Sequence, residues 1–159
     1  MICKTGHTFI KQKIRETDAL LGGEMSGHIF FNDRWPGFDD GIYAGARMLE
    51  IIANSEQDDP FVTVPNMLST PEINIPAADE EKFQIVKTFI ENSNFSDAKI
   101  VSIDGIRVEF EKGWGLLRPS NTSPCLVLRF EAETNDDLKK IKEIFYLGLK
   151  SIKPDINKF

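Results

Sequence analysis

The amino-acid sequence predicts an α+β protein built from two unequal parts. Three observations lead to this class: helix and strand patterns are mixed along the chain, four short strand patterns follow one another in the second half, and a proline-rich stretch separates the halves. In this prediction residues 1–58 form a partial α/β layer and residues 59–75 a linker. Residues 76–159 form a domain with a four-stranded antiparallel sheet and helices on one face.

The first part offers two helices and few strands. Apolar side chains recur on one helical face over residues 8–21, where a glycine pair ends the pattern, and the apolar HIFF at 28–31 is typical of a buried strand. Asp39 and Asp40 precede a second helical pattern at 41–54 and favour its amino terminus. One or two strands are few for an α/β layer, so we expect this part to be the second half of a domain.

The second part begins after three prolines that break any long periodicity, Pro65, Pro71 and Pro76. A helix is predicted from Asp79 to about Asn92. Two strands follow around an Asp104–Gly105 turn, and their alternation of apolar and charged residues is typical of a sheet with one solvated face.

Two more strands and a helix complete the second part. The segments GWGLLR, residues 113–118, and CLVLRFEA, residues 125–132, predict strands on either side of a polar loop. The segment from Thr134 to Asp137 caps the last helix, whose apolar side chains face the sheet: Leu138, Ile141, Phe145 and Leu149.

Composition excludes several classes of function. A formal net charge of −6 argues against nonspecific nucleic-acid binding, which needs a basic surface. No apolar run approaches the roughly 20 residues of a membrane span, and the amino terminus lacks the apolar core of a signal peptide, so we expect a cytoplasmic protein. Cys3 and Cys125 are far apart in sequence, which favours two reduced thiols.

The loop RPSNTSP carries donors that suit a phosphate. Arg118 offers a rigid fork of N–H groups, Ser120 and Thr122 offer hydroxyls, and Asn121 offers an amide. The tight turn also allows backbone N–H groups to point inward. The alternative is a polar hairpin loop stiffened by its prolines.

The loop GEMSGH carries groups that suit a polyol. Glu24 can accept hydrogen bonds from two neighbouring hydroxyls, and Ser26 and His28 can donate or accept. A carboxylate inside an apolar run costs several kcal/mol unless it is paired, which favours a binding role. The alternative is a capped turn with a satisfied histidine. His7, in KTGH, lies just upstream of a helix, where a capping turn is the simplest interpretation.

No metal site is predicted from spacing. The sequence has no CxxC and no histidine at metal-ligand spacing. The FDDG segment contains two carboxylates directly before a helix, and such carboxylates usually cap the helix.

The two loops together resemble one family. GEMSGHIFF, followed by RWPGFDDGIYAGARMLEII and, after the linker, RPSNTSPCLVLRFEAET, closely resembles the C-terminal portion of the bacterial phosphomannomutase/phosphoglucomutase enzymes of the α-D-phosphohexomutase superfamily. The resemblance extends from KTGH to the last helix. It implies that residues 1–58 are the second half of domain 3, that 59–75 are a linker, and that 76–159 are domain 4, whose fold is similar to the TATA-box-binding protein.

The resemblance also implies a role for each loop. Four residues are expected to contact the sugar: Glu24, Ser26 and His28, which read its hydroxyls, and His7. Four residues are expected to hold the phosphate that is not transferred: Arg118, Ser120, Asn121 and Thr122.

The implied activity is that of an isomerase, an intramolecular phosphotransferase that interconverts mannose or glucose 1- and 6-phosphates through a bisphosphate. The family uses a phosphoserine, a Mg²⁺ held by a DGDGDR-type loop and a glucose 1,6-bisphosphate-type activator. This sequence contains neither the phosphoserine motif nor the DGDGDR-type loop. We therefore expect no catalytic residue and no metal ligand in this chain, which alone would be inactive.

Partners follow from the same resemblance. They are hexose phosphates, the missing N-terminal domains of the enzyme, and, through the truncated domain, a second copy in a dimer. The alternative is a noncatalytic phosphosugar-binding or interaction protein in its own right.

Overall fold

The computed structural model describes residues 1–95 and 98–159. The chain divides into two compact units, Met1–Pro65 and Asn66–Phe159. Mixed helices and antiparallel sheets confirm the predicted fold class. Within the described ranges, none of the helices combines the length and apolar character that crossing a bilayer requires.

The first unit contains two helices and a two-stranded sheet: α1 (His7–Thr17), β1 (Leu21–Gly23), β2 (Ile29–Phe31) and α2 (Gly41–Asn54). Helix α1 is shorter than predicted because Asp18 adopts a left-handed conformation, with φ 50°, and caps the helix through its N–H to the Ile14 carbonyl. Leu21, expected at the end of this helix, begins β1 instead.

Strands β1 and β2 form an antiparallel hairpin in which Leu21 pairs with Phe31 and Gly23 with Ile29. Phe30 of β2 is fully buried against Ile10 and Ile14 of α1. Gly22 permits this packing, because a Cβ there would stand 2.9 Å from the Ile10 side chain. The HIFF strand is therefore confirmed, and its partner is the glycine-rich segment before the loop.

Helix α2 begins at the predicted cap. The Asp40 carboxylate accepts hydrogen bonds from the backbone N–H groups of Ile42 and Tyr43, both at 3.0 Å. Asp39, also predicted to cap, makes different contacts, described below. None of the α2 side chains is buried.

The second unit contains six strands and two helices: β3 (Leu68–Ser69), β4 (Ile73–Pro76), α3 (Asp79–Asn92), β5 (Lys99–Val101), β6 (Ile106–Phe110), β7 (Gly113–Pro119), β8 (Cys125–Ala132) and α4 (Asn135–Ile152). The antiparallel sheet has the order β3-β8-β7-β6-β5, and β4 also pairs with β8. It has two short strands more than the predicted four. These lie mostly in residues 59–75, where the prolines hid them, and they pair along the free edge of β8.

One apolar core holds the sheet and both helices of this unit together. The ring of Phe145 in α4 packs edge-on against Phe130 of β8 at 5.2 Å and lies tilted against Phe89 of α3 at 5.3 Å. Gly115 of β7 lies directly beneath that ring, since an added Cβ would stand 2.5 Å from it. Thr134 caps α4, as predicted, by accepting from the Asp137 N–H.

Candidate functional site

The GEMSGH loop is the turn of the first unit's hairpin. The Glu24 N–H donates to the His28 carbonyl at 2.8 Å, and the Gly27 N–H donates to the Glu24 carbonyl at 3.0 Å. Gly27 has φ 92°, a conformation that side chains rarely adopt. The turn therefore presents its side chains from a fixed backbone.

Glu24 lies in this turn and is half-buried, so the interpretation of a carboxylate inside an apolar strand was wrong. Its Oε2 accepts a long hydrogen bond from the Ser26 hydroxyl at 3.4 Å. Its Oε1 is shielded from solvent and has no hydrogen-bond partner among the described residues. A buried carboxylate oxygen without a donor is costly, so this atom is an acceptor whose hydrogen-bonding capacity is unused.

His7, His28 and Asp39 converge beside Phe30. The His28 Nδ1 lies 2.8 Å from Asp39 Oδ2, and the His7 Nε2 lies 3.8 Å from the same oxygen. The two imidazole rings meet edge to face at 4.5 Å. Asp39 Oδ1 accepts from the Ile29 N–H at 3.2 Å, which fixes the carboxylate against β2.

Asp39 was predicted only as a helix cap, and its place in this cluster was not foreseen from the sequence. The hydrogen bond from His28 lowers the pKa of the Asp39 carboxyl, and the Ile29 N–H and the positive charge available on the two histidines act in the same direction. One carboxylate, that of Asp40, is enough to cap the helix. The presence of an additional aspartate in FDDG was therefore a signal that Asp39 has another role.

The RPSNTSP loop joins β7 to β8 in the second unit. Ser120 is buried, and its hydroxyl oxygen accepts from the N–H groups of Thr122 at 3.3 Å and Ser123 at 3.1 Å. Those two amides point back at Ser120, so the expectation that the turn aims its amides at a ligand was wrong for them. Ser120 shapes the loop.

Three other side chains of this loop region are unpartnered within the described part of the chain. Among the residues that the structure describes, nothing donates to, accepts from or pairs with the side chains of Arg118, Asn121 and Thr122. By contrast, Arg47 and Arg107 each pair with a carboxylate. The free guanidinium and the exposed amide and hydroxyl are available to an anion.

Lys82 of α3 anchors the loop and gave no signal in the sequence. Its side chain is only 5% exposed, and its Nζ donates to the Ser123 carbonyl at 3.0 Å and to Asp79 Oδ1 at 2.6 Å. The Ala77 N–H holds the Pro124 carbonyl at 3.0 Å. The loop is thereby tied to the body of its unit on its Ser123–Pro124 side.

The eight predicted site residues therefore form two groups, one in each unit. The first group lies on the hairpin turn and at the start of α1: His7, Glu24, Ser26 and His28. The second lies at the end of β7 and in the following loop: Arg118, Ser120, Asn121 and Thr122.

Two family models match this chain. Residues 1–63 match the model described as phosphoglucomutase/phosphomannomutase, alpha/beta/alpha domain III. Residues 72–147 match the phosphoglucomutase/phosphomannomutase C-terminal domain.

Curated relatives and a solved structure agree with these matches. The chain is 53% identical over 156 residues to a phosphomannomutase/phosphoglucomutase of Pseudomonas syringae pv. tomato, covering 97% of this chain and 34% of the relative. It is 50% identical to that of Pseudomonas aeruginosa, covering 94% of this chain and 33% of the relative. A crystal structure of a phosphoglucomutase/phosphomannomutase family protein from Burkholderia thailandensis superposes with a TM-score of 0.88 and 46% identity, covering 100% of this chain and 34% of that one. The chain thus spans about a third of the length of these relatives.

Proposed function

The chain belongs to the phosphoglucomutase/phosphomannomutase family, and on this premise we propose that it supplies the substrate-recognition residues of a phosphohexomutase. Such an enzyme interconverts hexose 1- and 6-phosphates through a bisphosphate. The ligands of this chain are mannose or glucose phosphates. Phosphoryl transfer itself falls outside the roles that we assign to its residues.

The observation that carries the proposal is the set of unpartnered groups on the β7–β8 loop. Arg118 is partly buried and has no carboxylate partner among the described residues, and Asn121 and Thr122 beside it are exposed. This arrangement supports binding of a phosphate that is not being transferred. Arginine holds phosphate through two parallel N–H donors. Each charge-assisted hydrogen bond contributes about 1.5–3 kcal/mol.

The hairpin turn of the first unit supplies the sugar-reading groups in this proposal. Glu24 offers a carboxylate oxygen that lacks a donor within residues 1–95 and 98–159. Beside it, Ser26 is exposed and His28 is half-buried. The hydrogen bond with Asp39 orients the His28 ring and leaves its Nε2 available to a hydroxyl. His7 lies against the same ring and completes the set.

The family's Mg²⁺ does not fit the residues of this chain that could hold an ion. Mg²⁺ prefers an octahedron of oxygen ligands, whereas the potential ligand cluster found among the described residues contains two imidazoles and one carboxylate. We therefore assign no residue of this chain to Mg²⁺, and the bisphosphate activator stays a prediction.

A titration of the isotope-labelled chain with mannose 1-phosphate and glucose 1-phosphate tests the proposal. We expect saturable amide shifts at residues 118–122 and 24–28. Arg118→Gln should weaken phosphate binding by roughly 10- to 100-fold, because it removes charge-assisted hydrogen bonds. Arg15→Gln, which changes an exposed arginine of α1, is the matched control and should leave the affinity unchanged.

The sugar-reading role has its own pair of variants. Glu24→Gln should weaken binding of the sugar phosphates while leaving inorganic phosphate binding intact, whereas Glu16→Gln on the surface of α1 should change neither. Shifts confined to the phosphate loop would contradict the sugar role of Glu24. Absence of any saturable shift at millimolar sugar phosphate would contradict binding by this chain.

A further inference from the structure

The cluster of His7, His28 and Asp39 has the composition and dimensions of a transition-metal site. We propose that these three residues bind one Zn²⁺-type ion. Two imidazole nitrogens and a carboxylate oxygen are a common zinc ligand set, and three protein ligands leave a fourth tetrahedral position open to water.

The distances fit a small ion. With metal–ligand bonds of about 2.0–2.1 Å, neighbouring ligand atoms of a tetrahedron stand about 3.3 Å apart. The His28 Nδ1 and the His7 Nε2 lie 2.8 and 3.8 Å from Asp39 Oδ2, values that bracket this edge. The three residues each place one ligand atom within 4.8 Å of the other two. Ligation then requires the widest pair of ligand atoms to close by up to about 1.5 Å, a side-chain movement.

The ligands are also held in place by their neighbours. The Ile29 N–H bonds to Asp39 Oδ1 and leaves Oδ2 for the ion. The ring of His7 packs edge-on against the fully buried Phe30 at 5.3 Å. Such outer contacts orient metal ligands and raise affinity. The two histidines remain 45% and 43% exposed, so an ion can reach them from solvent.

The donor set selects the class of ion. Imidazole nitrogens suit Zn²⁺, Ni²⁺ and Cu²⁺, whereas Mg²⁺ favours oxygen ligands and keeps its water. Millimolar Mg²⁺ should therefore leave the cluster empty. Occupancy by zinc would engage the His7 Nε2 and the His28 Nδ1. Because His7 is also assigned to the sugar, zinc should weaken binding of a hexose phosphate, a consequence that rests on the proposed function.

Calorimetric titration of the tag-free chain with Zn²⁺, without sugar, tests the site directly. We expect one equivalent to bind and the imidazole NMR signals of both histidines to shift together, with no such shift in Mg²⁺. Asp39→Asn keeps an acceptor for the Ile29 N–H but loses the charged ligand. The Zn²⁺ affinity of this variant should fall by at least roughly 100-fold. Loss of a residue that merely supports a metal ligand already costs up to about that much, and Asp39 is itself a ligand.

Control variants separate this site from other ligands. Asp18→Asn changes an exposed aspartate of the same unit, and Cys3→Ser removes a thiol; both should retain zinc affinity. His7→Gln, at the exposed start of α1, should lose it while the amide spectrum stays folded. Zinc binding that survives Asp39→Asn, or that disappears in Cys3→Ser, would overturn the proposal.

Competition is measured last, by repeating the mannose 1-phosphate titration with one equivalent of Zn²⁺. Weaker sugar phosphate binding in the wild type, but not in Asp39→Asn, is the expected result. Unchanged sugar binding to the zinc-loaded chain would overturn this competition. A chain that binds zinc and no sugar phosphate would overturn the proposed function and leave the zinc site standing.

Discussion

The two units of the chain bury apolar surface on different scales. Among the described residues, the core of the first unit consists of three buried side chains, Ile10, Ile14 and Phe30, whereas that of the second contains sixteen. Helix α2 shows the contrast at one element, because Ile42 is 89% exposed while Ile141 of α4 is buried. The β7–β8 loop is therefore supported by a large core, whereas the GEMSGH turn is supported by a small one. Dimerisation through the domain to which the first unit belongs stays a prediction.

The largest effect is expected in the large core. Phe130→Ala removes a fully buried ring that packs on Phe145, and it should lower the free energy of unfolding of the second unit by about 3–5 kcal/mol. Urea denaturation followed by residue-resolved NMR measures it. Phe83→Ala in α3, where the ring is 55% exposed, is the control and should change it by less than about 0.5 kcal/mol.

The same substitution in the small core should act differently. Phe30→Ala is expected to cost about 3 kcal/mol, near the low end for this change, because a small core collapses more easily around the gap. Its amide signals should broaden or move across the first unit alone. Phe9→Ala on α1, with a partly exposed ring, is the comparison. Equal loss of structure in both units would show that they unfold together and would refute the contrast.

The helix caps offer a matched pair across the units. Asp40→Ala and Thr134→Ala each remove an acceptor for orphan N–H groups and should each cost about 1 kcal/mol. Asp40→Asn and Thr134→Ser should retain most of that stability. A much larger effect for Asp40 would mean that the first unit depends on its caps because its core is small.

Acid should destabilise both units, because each contains an ion pair whose carboxylate is protonated at low pH. The hydrogen bond from Arg34 lowers the pKa of Glu50 in the first unit, and the hydrogen bond from Lys99 lowers that of Glu109 in the second. A lowered folded-state pKa means that this stability is full above the unfolded value of about 4.3 and is lost as pH falls through the folded value. Glu50→Gln and Glu109→Gln should each flatten the acid side of the stability profile of their own unit.

The smallest effect should come from the exposed face of α2. Ile42→Ser should change the free energy of unfolding by less than about 0.5 kcal/mol, because the side chain is already in water. Ile141→Ser in α4, the same change at a buried position, is the control and should destabilise strongly. A large loss at Ile42 would reveal a covering contact on α2.

The sequence by itself determined the features that depend on neighbouring residues. The alternation in residues 106–110 specified a strand with one buried face, and Asp40 and Thr134 specified where two helices begin. The motifs GEMSGH and RPSNT identified the family, since their residue types and order carry the resemblance.

Features that depend on distant residues become visible only in the folded chain. Helix α1 ends at Thr17 so that Leu21–Gly23 can pair with β2, and β3 and β4 exist because β8 has a free edge for them. Asp39 meets His7 and His28, and Lys82 reaches the Ser123 carbonyl, across gaps in sequence that no periodicity encodes. Local pattern fixes backbone preference and caps, whereas pairings between distant segments emerge only when the chain closes on itself.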